Sequence, residues 1–191
     1  MSNINVYVGD ITKVENIDAI VNAANGIGVM GKGVAGAIAR SGGDLLKSHV
    51  KNIIKDQGPF KRGQVYVSDA GLLKRRGIKL VYHAVTMDFP GGYTSYSTVC
   101  EVLKNTLDKA ISDGIKSIAL GGLGCGIGGL DKAIVAQQMA VIIQSYSDRL
   151  DITVVDKNFE FIDSFKKSLS VEFTEKSNET TTDSEQADTG S

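Results

Sequence analysis

Half of the 22 glycines in this chain fall in two short windows. The first holds Gly26, Gly28, Gly31, Gly33 and Gly36; the second holds Gly121, Gly122, Gly124, Gly126, Gly128 and Gly129. Each window follows an apolar, β-branched run and leads into a stretch with helical patterning. Each is therefore expected at the carboxyl edge of a sheet, where open α/β folds bind ligands. Glycine lets consecutive N–H groups turn toward one point, and the adjoining helix N-terminus adds positive partial charge. Two such loops facing each other would hold a diphosphate. Tight turns alone would account for either window taken singly.

The rest of the chain agrees with that class. Strands are predicted at Asn5 to Val8, Ala19 to Asn22, Gln64 to Ser68, Lys79 to Val85, Ser117 to Leu120 and Asp151 to Val155. Most read as nearly continuous apolar runs, which implies burial on both faces. Helical patterning covers Gly33 to Ser41, Asp44 to Asp56, Thr98 to Ser112, Asp131 to Ser147 and Phe159 to Leu169. In the third of these, Val99, Val102, Leu103, Thr106, Leu107, Ala110 and Ile111 share one stripe, as a helix lying on a sheet requires. The fold class is α/β, a mixed sheet of about six strands with helices on both faces. The segment Asn5 to Asn22 has no room for an ordinary crossover helix, so the first two strands are expected to pair antiparallel.

At 191 residues the chain fits one domain with a substantial core. That domain is placed at residues 1–170 and an acidic tail at 171–191, too poor in apolar surface to order itself. From Glu172 onward there are six acidic residues and one lysine, so the body before it carries 20 basic and 16 acidic residues, a charge of +4. This suits an anionic ligand and falls short of the basic patch of a dedicated nucleic-acid binder. No apolar run approaches the roughly 20 residues of a membrane helix, and the start lacks a secretory pattern, so a cytoplasmic protein is expected. Cys100 and Cys125 form neither a disulfide framework nor a zinc motif.

Two better-known glycine patterns fail here. Gly26 to Gly33 nearly matches a P-loop with Lys32 in place, but Gly33 stands where a hydroxyl should reach magnesium. Gly26-Ile27-Gly28-Val29-Met30-Gly31 matches a dinucleotide fingerprint, which needs an acid at the end of the next strand about 20 residues on, yet Asp44 precedes a helix and the next strand starts near Gln64; neither pattern explains the second loop. Other polar residues share the same edge. Asp10, at the end of the first strand, is able to accept a hydrogen bond from an adenine amino group, or serves equally as a turn or cap residue. Asn22 and Asn25 flank the first loop, and their amides suit either ribose hydroxyls or a structural role at a strand end.

Gly9-Asp10-Ile11-Thr12, Asp18 to Asn25, Gly33-Val34-Ala35-Gly36-Ala37-Ile38 and Gly121 to Gly129 together resemble the macrodomain family in order and spacing. Gly63 to Val67 and Ile78 to Val85 support the likeness, which spans roughly Asn3 to Leu169. It implies a three-layer α/β/α sandwich that binds ADP-ribose, with Asp10 on adenine, Asn25 on the distal ribose and both loops on the diphosphate. The candidate ligand-binding set is Asp10, Ile11, Asn22, Asn25, Gly31, Lys32, Gly33 and Val34, with Gly122, Gly124, Cys125, Gly126, Ile127 and Gly128 from the second loop. Asn25 and the Gly126 backbone are the catalytic candidates. No metal or cofactor is implied, and a monomer is expected.

Two departures from the family pattern stand out. Ala35 occupies the position where many hydrolytic members carry an aspartate, and it cannot activate water. Gly128 lies near a position often held by an aromatic ring that stacks on the distal ribose. Cys125 suits a tight phosphate-hugging turn better than a nucleophile's role, having no histidine near it in sequence. His83 reads as core and His49 as solvated, while Lys32 fits either phosphate contact or a solvated loop. The expected partner is ADP-ribose or a mono-ADP-ribosylated protein, either hydrolysed or simply read. Binding to poly-ADP-ribose or nucleic acid is the weaker alternative, for which salt dependence would be diagnostic.

Overall fold

A computed structural model describes residues 3–169; the acidic tail lies outside them. The element order is β1 (Ile4–Val8), β2 (Ala19–Asn25), α1 (Gly33–Gln57), β3 (Val65–Asp69), β4 (Leu80–Met87), α2 (Tyr96–Ser112), β5 (Ser117–Leu120), α3 (Lys132–Gln144) and β6 (Asp151–Asp156). A last helix, α4, occupies residues 159–169. The strands form one six-stranded sheet in the order β1-β6-β5-β2-β4-β3.

Strand alternation divides the apolar residues into two cores. Ala19, Val21, Tyr82, Ala84, Ile118, Leu120, Ile152 and Val154 face α2, α3 and α4, whose Val102, Leu103, Leu107, Val135, Met139, Phe161 and Phe165 complete that core. Ile20, Val81, Val85, Ala119 and Val155 face the opposite way, onto Ile38, Leu46, Val50 and Ile53 of α1. The result is the expected three layers. Leu46, Leu103, Leu107 and Ile118 are fully buried, and each such side chain contributes about 1.5–3 kcal/mol.

Local signals set the helix boundaries. Ser95 caps α2 by accepting from the Thr98 N–H at 3.1 Å, and Asp131 caps α3 by accepting from the Ile134 N–H at 3.0 Å. The two helices predicted on either side of Gly43 form one element broken at that residue, where φ is 70° and ψ −163°. That left-handed geometry is open to glycine without strain.

The sheet is mixed, but its antiparallel pair is β3 with β4, not β1 with β2 as the short connection suggested. β1 pairs in parallel with β6, and β2 lies between β5 and β4, parallel to both. The connection manages without a crossover helix because it carries only a 3-10 turn, Ile11–Lys13, and packs Ile11 and Val14 onto the α1 side of the sheet. β2 also runs three residues beyond its predicted end, since Ala23, Ala24 and Asn25 keep pairing with β4 across a bulge at Ala24/Asn25.

This order positions a crevice. β2 and β5 are neighbours, but β2 leads into α1 on one face and β5 leads into α3 on the other. Chains leaving adjacent strands in opposite directions open the sheet's carboxyl edge between them, the place where such folds bind ligands.

Candidate functional site

The two glycine loops stand on either side of that crevice. In the first, the Asn25 side chain acts as a clasp: Oδ1 accepts from the Ile27 N–H at 3.2 Å and the Val29 N–H at 3.1 Å, and Nδ2 donates to the Val29 carbonyl at 2.9 Å. Gly26 is tied to the Met87 carbonyl at 3.0 Å. A Cβ there would meet the Phe60 carbonyl oxygen at 1.8 Å, so only glycine fits. The loop ends at Lys32, the N-cap of α1, which gives the helix no side-chain capping bond. Its first N–H groups thus have no side-chain acceptor from the cap, as suits an anion site.

The second loop is anchored to β6. Gly122 N–H donates to Asp156 Oδ2 at 2.9 Å, and Asp156 Oδ1 accepts from the Asn158 N–H at 2.8 Å. The loop closes on itself through Leu130 N–H to the Gly124 carbonyl and Gly129 N–H to the Gly126 carbonyl, both 3.1 Å. Gly128 is pressed against the Gly124 carbonyl oxygen, which a Cβ would approach to 2.6 Å. By contrast, no protein atom lies within 4 Å of where a Cβ would stand at Gly31 or Gly126.

Between the loops lies a cavity of about 390 Å³, lined by Asp10, Ile11, Gly33, Val34, Ala37, Arg40, Gly122, Leu123, Asp156 and Lys157 among others. Its size falls in the range of small-ligand sites. Of the sequence-predicted set, Asp10, Ile11, Gly33, Val34 and Gly122 line it. Gly31, Lys32 and Ile127 are exposed on the loops. Gly124, Cys125, Gly126 and Gly128 complete the second loop without lining the cavity. Asn25 sits beneath the first loop as its clasp.

Asn22 is placed elsewhere. Its alternation turns it toward the α1 side of the sheet, where it is 1% exposed and its Nδ2 lies 3.1 Å from His83 Nδ1. His83 Nε2 is in turn 2.8 Å from Ser68 Oγ, and the ring stacks on Tyr66 at 4.6 Å. Burial, helped by His49, holds the His83 imidazole far below its ordinary value, at about 3, so it stays neutral in the core.

Asp10 carries the reverse balance. Burial pushes its carboxyl up, but bonds from the Thr12 side chain and N–H, at 2.7 Å and 2.9 Å, and the Lys157 ammonium at 3.5 Å hold it below the usual carboxylate value. It is ionised at neutral pH, an acceptor only. Cys125 is not an activated nucleophile: burial first, then Asp156, push its thiol up to about 12.

Sequence reasoning missed Ala37, Arg40, Asp156 and Lys157. The first two were legible in principle, since Gly33, Ala37 and Arg40 follow helical spacing. Asp156 and Lys157 end β6, whose place beside β5 no local pattern announces.

The sequence profile of the Macro domain family matches residues 21–139. The chain belongs to the macrodomain family. Among its relatives, an uncharacterised protein of Pyrobaculum aerophilum is 40% identical over 169 residues, covering 84% of this chain and 90% of that one. A Cronobacter turicensis protein named O-acetyl-ADP-ribose deacetylase is 34% identical over 147 residues, covering 76% of this macrodomain and 81% of the relative. In fold, a mutant macrodomain of Oceanobacillus iheyensis solved with ADPR superposes with a TM-score of 0.77 at 23% identity, covering 90% of this chain and 92% of that one. Among the described residues, no helix of this macrodomain is long and apolar enough to cross a membrane. Among the described residues, no three His, Cys, Asp or Glu side chains form a group able to hold a metal ion.

Proposed function

We propose that this macrodomain binds ADP-ribose, free or attached to a protein, in the crevice between its two glycine loops. The observation that carries the reading is that both loops border one cavity which also holds the ionised Asp10. Asp10 accepts from the adenine amino group, the base lies against Ile11 and Val34, and the diphosphate takes N–H groups from the start of α1 and from the second loop. Asn25 serves the distal ribose by holding the first loop in shape. The deacetylase name of the Cronobacter relative and the ADPR in the Oceanobacillus structure support the choice of ligand.

The activity that follows is hydrolysis of a mono-ADP-ribosyl protein or of a small ADP-ribose ester. The bound diphosphate orients a water and helps to deprotonate it, while second-loop N–H groups, that of Gly126 among them, stabilise the developing negative charge. A second reading, a module that only reads ADP-ribose, is favoured by one observation. Ala35 offers no base, and the carboxylates lining the cavity are already engaged, Asp10 by Thr12 and Lys157 and Asp156 by Gly122 and Asn158.

Titration calorimetry with ADP-ribose, followed by incubation with a mono-ADP-ribosylated protein, separates these readings. Binding with time-dependent release of ADP-ribose establishes hydrolysis; binding without release establishes a reader; no binding removes both. Asp10→Ala is expected to weaken ADP-ribose by about tenfold or more through the lost charged acceptor, and unchanged affinity would take Asp10 out of the site.

A further inference from the structure

The cavity has one charged side chain with no task. Lys157 is paired with Asp10 at 3.5 Å, and Asp156 accepts from two backbone N–H groups. Arg40, which lines the same cavity, has no hydrogen-bonding or ionic partner among the described residues. With the Asp10–Lys157 pair cancelling, Asp156 would leave the lining with one uncompensated negative charge. Arg40 brings that lining to neutrality.

Its position follows from α1. Side chains on a helix lean toward its N-terminus, and Arg40 stands two turns below Gly33, with Ala37 between them on the same face. The guanidinium folds back over Gly36: a Cβ at that glycine would lie 3.2 Å from Arg40 Nη1 and 3.0 Å from the Gly31 carbonyl oxygen. The absence of a side chain at Gly36 thus lets the cation lie beside the first glycine loop.

We propose that Arg40 is the side-chain cation that engages the ligand's diphosphate, making the site favour anionic nucleotides over uncharged nucleosides. This rests on the ADP-ribose reading above. Backbone N–H groups supply directional bonds but only partial charge, whereas a guanidinium adds a full charge and several donors. Because Arg40 is exposed, its replacement leaves the core intact.

The test is calorimetry on the full chain with ADP-ribose and adenosine as probes, comparing wild type with Arg40→Ala and Arg40→Lys. Arg40→Ala is expected to lose about tenfold in ADP-ribose affinity, the scale of one charge-assisted contact, and to bind adenosine like wild type. Arg40→Lys is expected to recover part of that loss, since it keeps the charge without the fork of donors. Equal ADP-ribose affinity in wild type and Arg40→Ala would overturn the proposal while leaving the ADP-ribose reading standing. A matching loss for ADP-ribose and adenosine, with lysine no better than alanine, would also overturn it, placing the guanidinium on the base. Failure of wild type to bind ADP-ribose would sink both readings together.

Discussion

Asn25 illustrates how one side chain serves a site without lining it. Its three bonds to the backbone of Ile27 and Val29 hold the curve of the first loop. Asn25→Ala is therefore expected to cost about 1–3 kcal/mol of stability, because it removes the three hydrogen bonds that shape the loop, and to weaken ADP-ribose binding as well. Urea unfolding read beside calorimetry checks this; lost affinity with unchanged stability would instead mark Asn25 as a direct ligand. Asn22, a neighbour with the same amide, has a different environment because alternation buries it against His83. The sequence offered both residues for the ribose, and at this scale it could not separate them, since three positions along a strand decide which surroundings each amide meets.

The glycine loops were the most legible elements, because the need for backbone approach leaves a compositional trace. Their glycines nevertheless do different jobs, which spacing does not reveal. A Cβ at Gly128 would lie 2.6 Å from the Gly124 carbonyl oxygen and 2.8 Å from the Thr94 methyl, whereas one at Gly126 would meet nothing within 4 Å. Gly128→Ala is expected to destabilise the protein by about 1–3 kcal/mol through overpacking. Gly126→Ala should leave stability within about 0.5 kcal/mol. It should also reduce ADP-ribose affinity by about tenfold, since a methyl group would take space the phosphates need. Thermal melts and titrations of the pair check the division; equal melting losses would show the second loop to be packed throughout. The crowding at Gly128 also accounts for the departure noted there: a ring in that position would require the loop to take another path.

Across the whole molecule, the two cores and the sheet between them make stability depend on pH through a group outside the site. Buried His83 stays neutral in the fold, with its value lowered to about 3, whereas in the unfolded chain it takes up a proton near its ordinary value of about 6.5. Its contribution is fully present above that value and is lost as the pH falls from there toward 3. The expected loss is about 1.4 kcal/mol at pH 5.5, one unit below the unfolded value. Asp10, Asp18 and Asp69 are held below the usual carboxylate value, so their contributions fade only at lower pH and leave this window clear. Urea unfolding at pH 7.5 and 5.5 measures the effect. The variant His83→Gln should flatten it, and an equal slope in that variant would assign the dependence to other groups.

The sequence by itself determined the succession of strands and helices, the break in α1 at Gly43 and the two glycine loops, because each of these is written in local periodicity or in a local demand on the backbone. Only the tertiary structure decided that β1 lies beside β6 and not β2, that Asn22 turns into the core, and that Arg40, Asp156 and Lys157 share a cavity with Asp10. Strand order depends on pairing between segments far apart in the chain, and a strand's own pattern tells which residues are buried without telling against which neighbour.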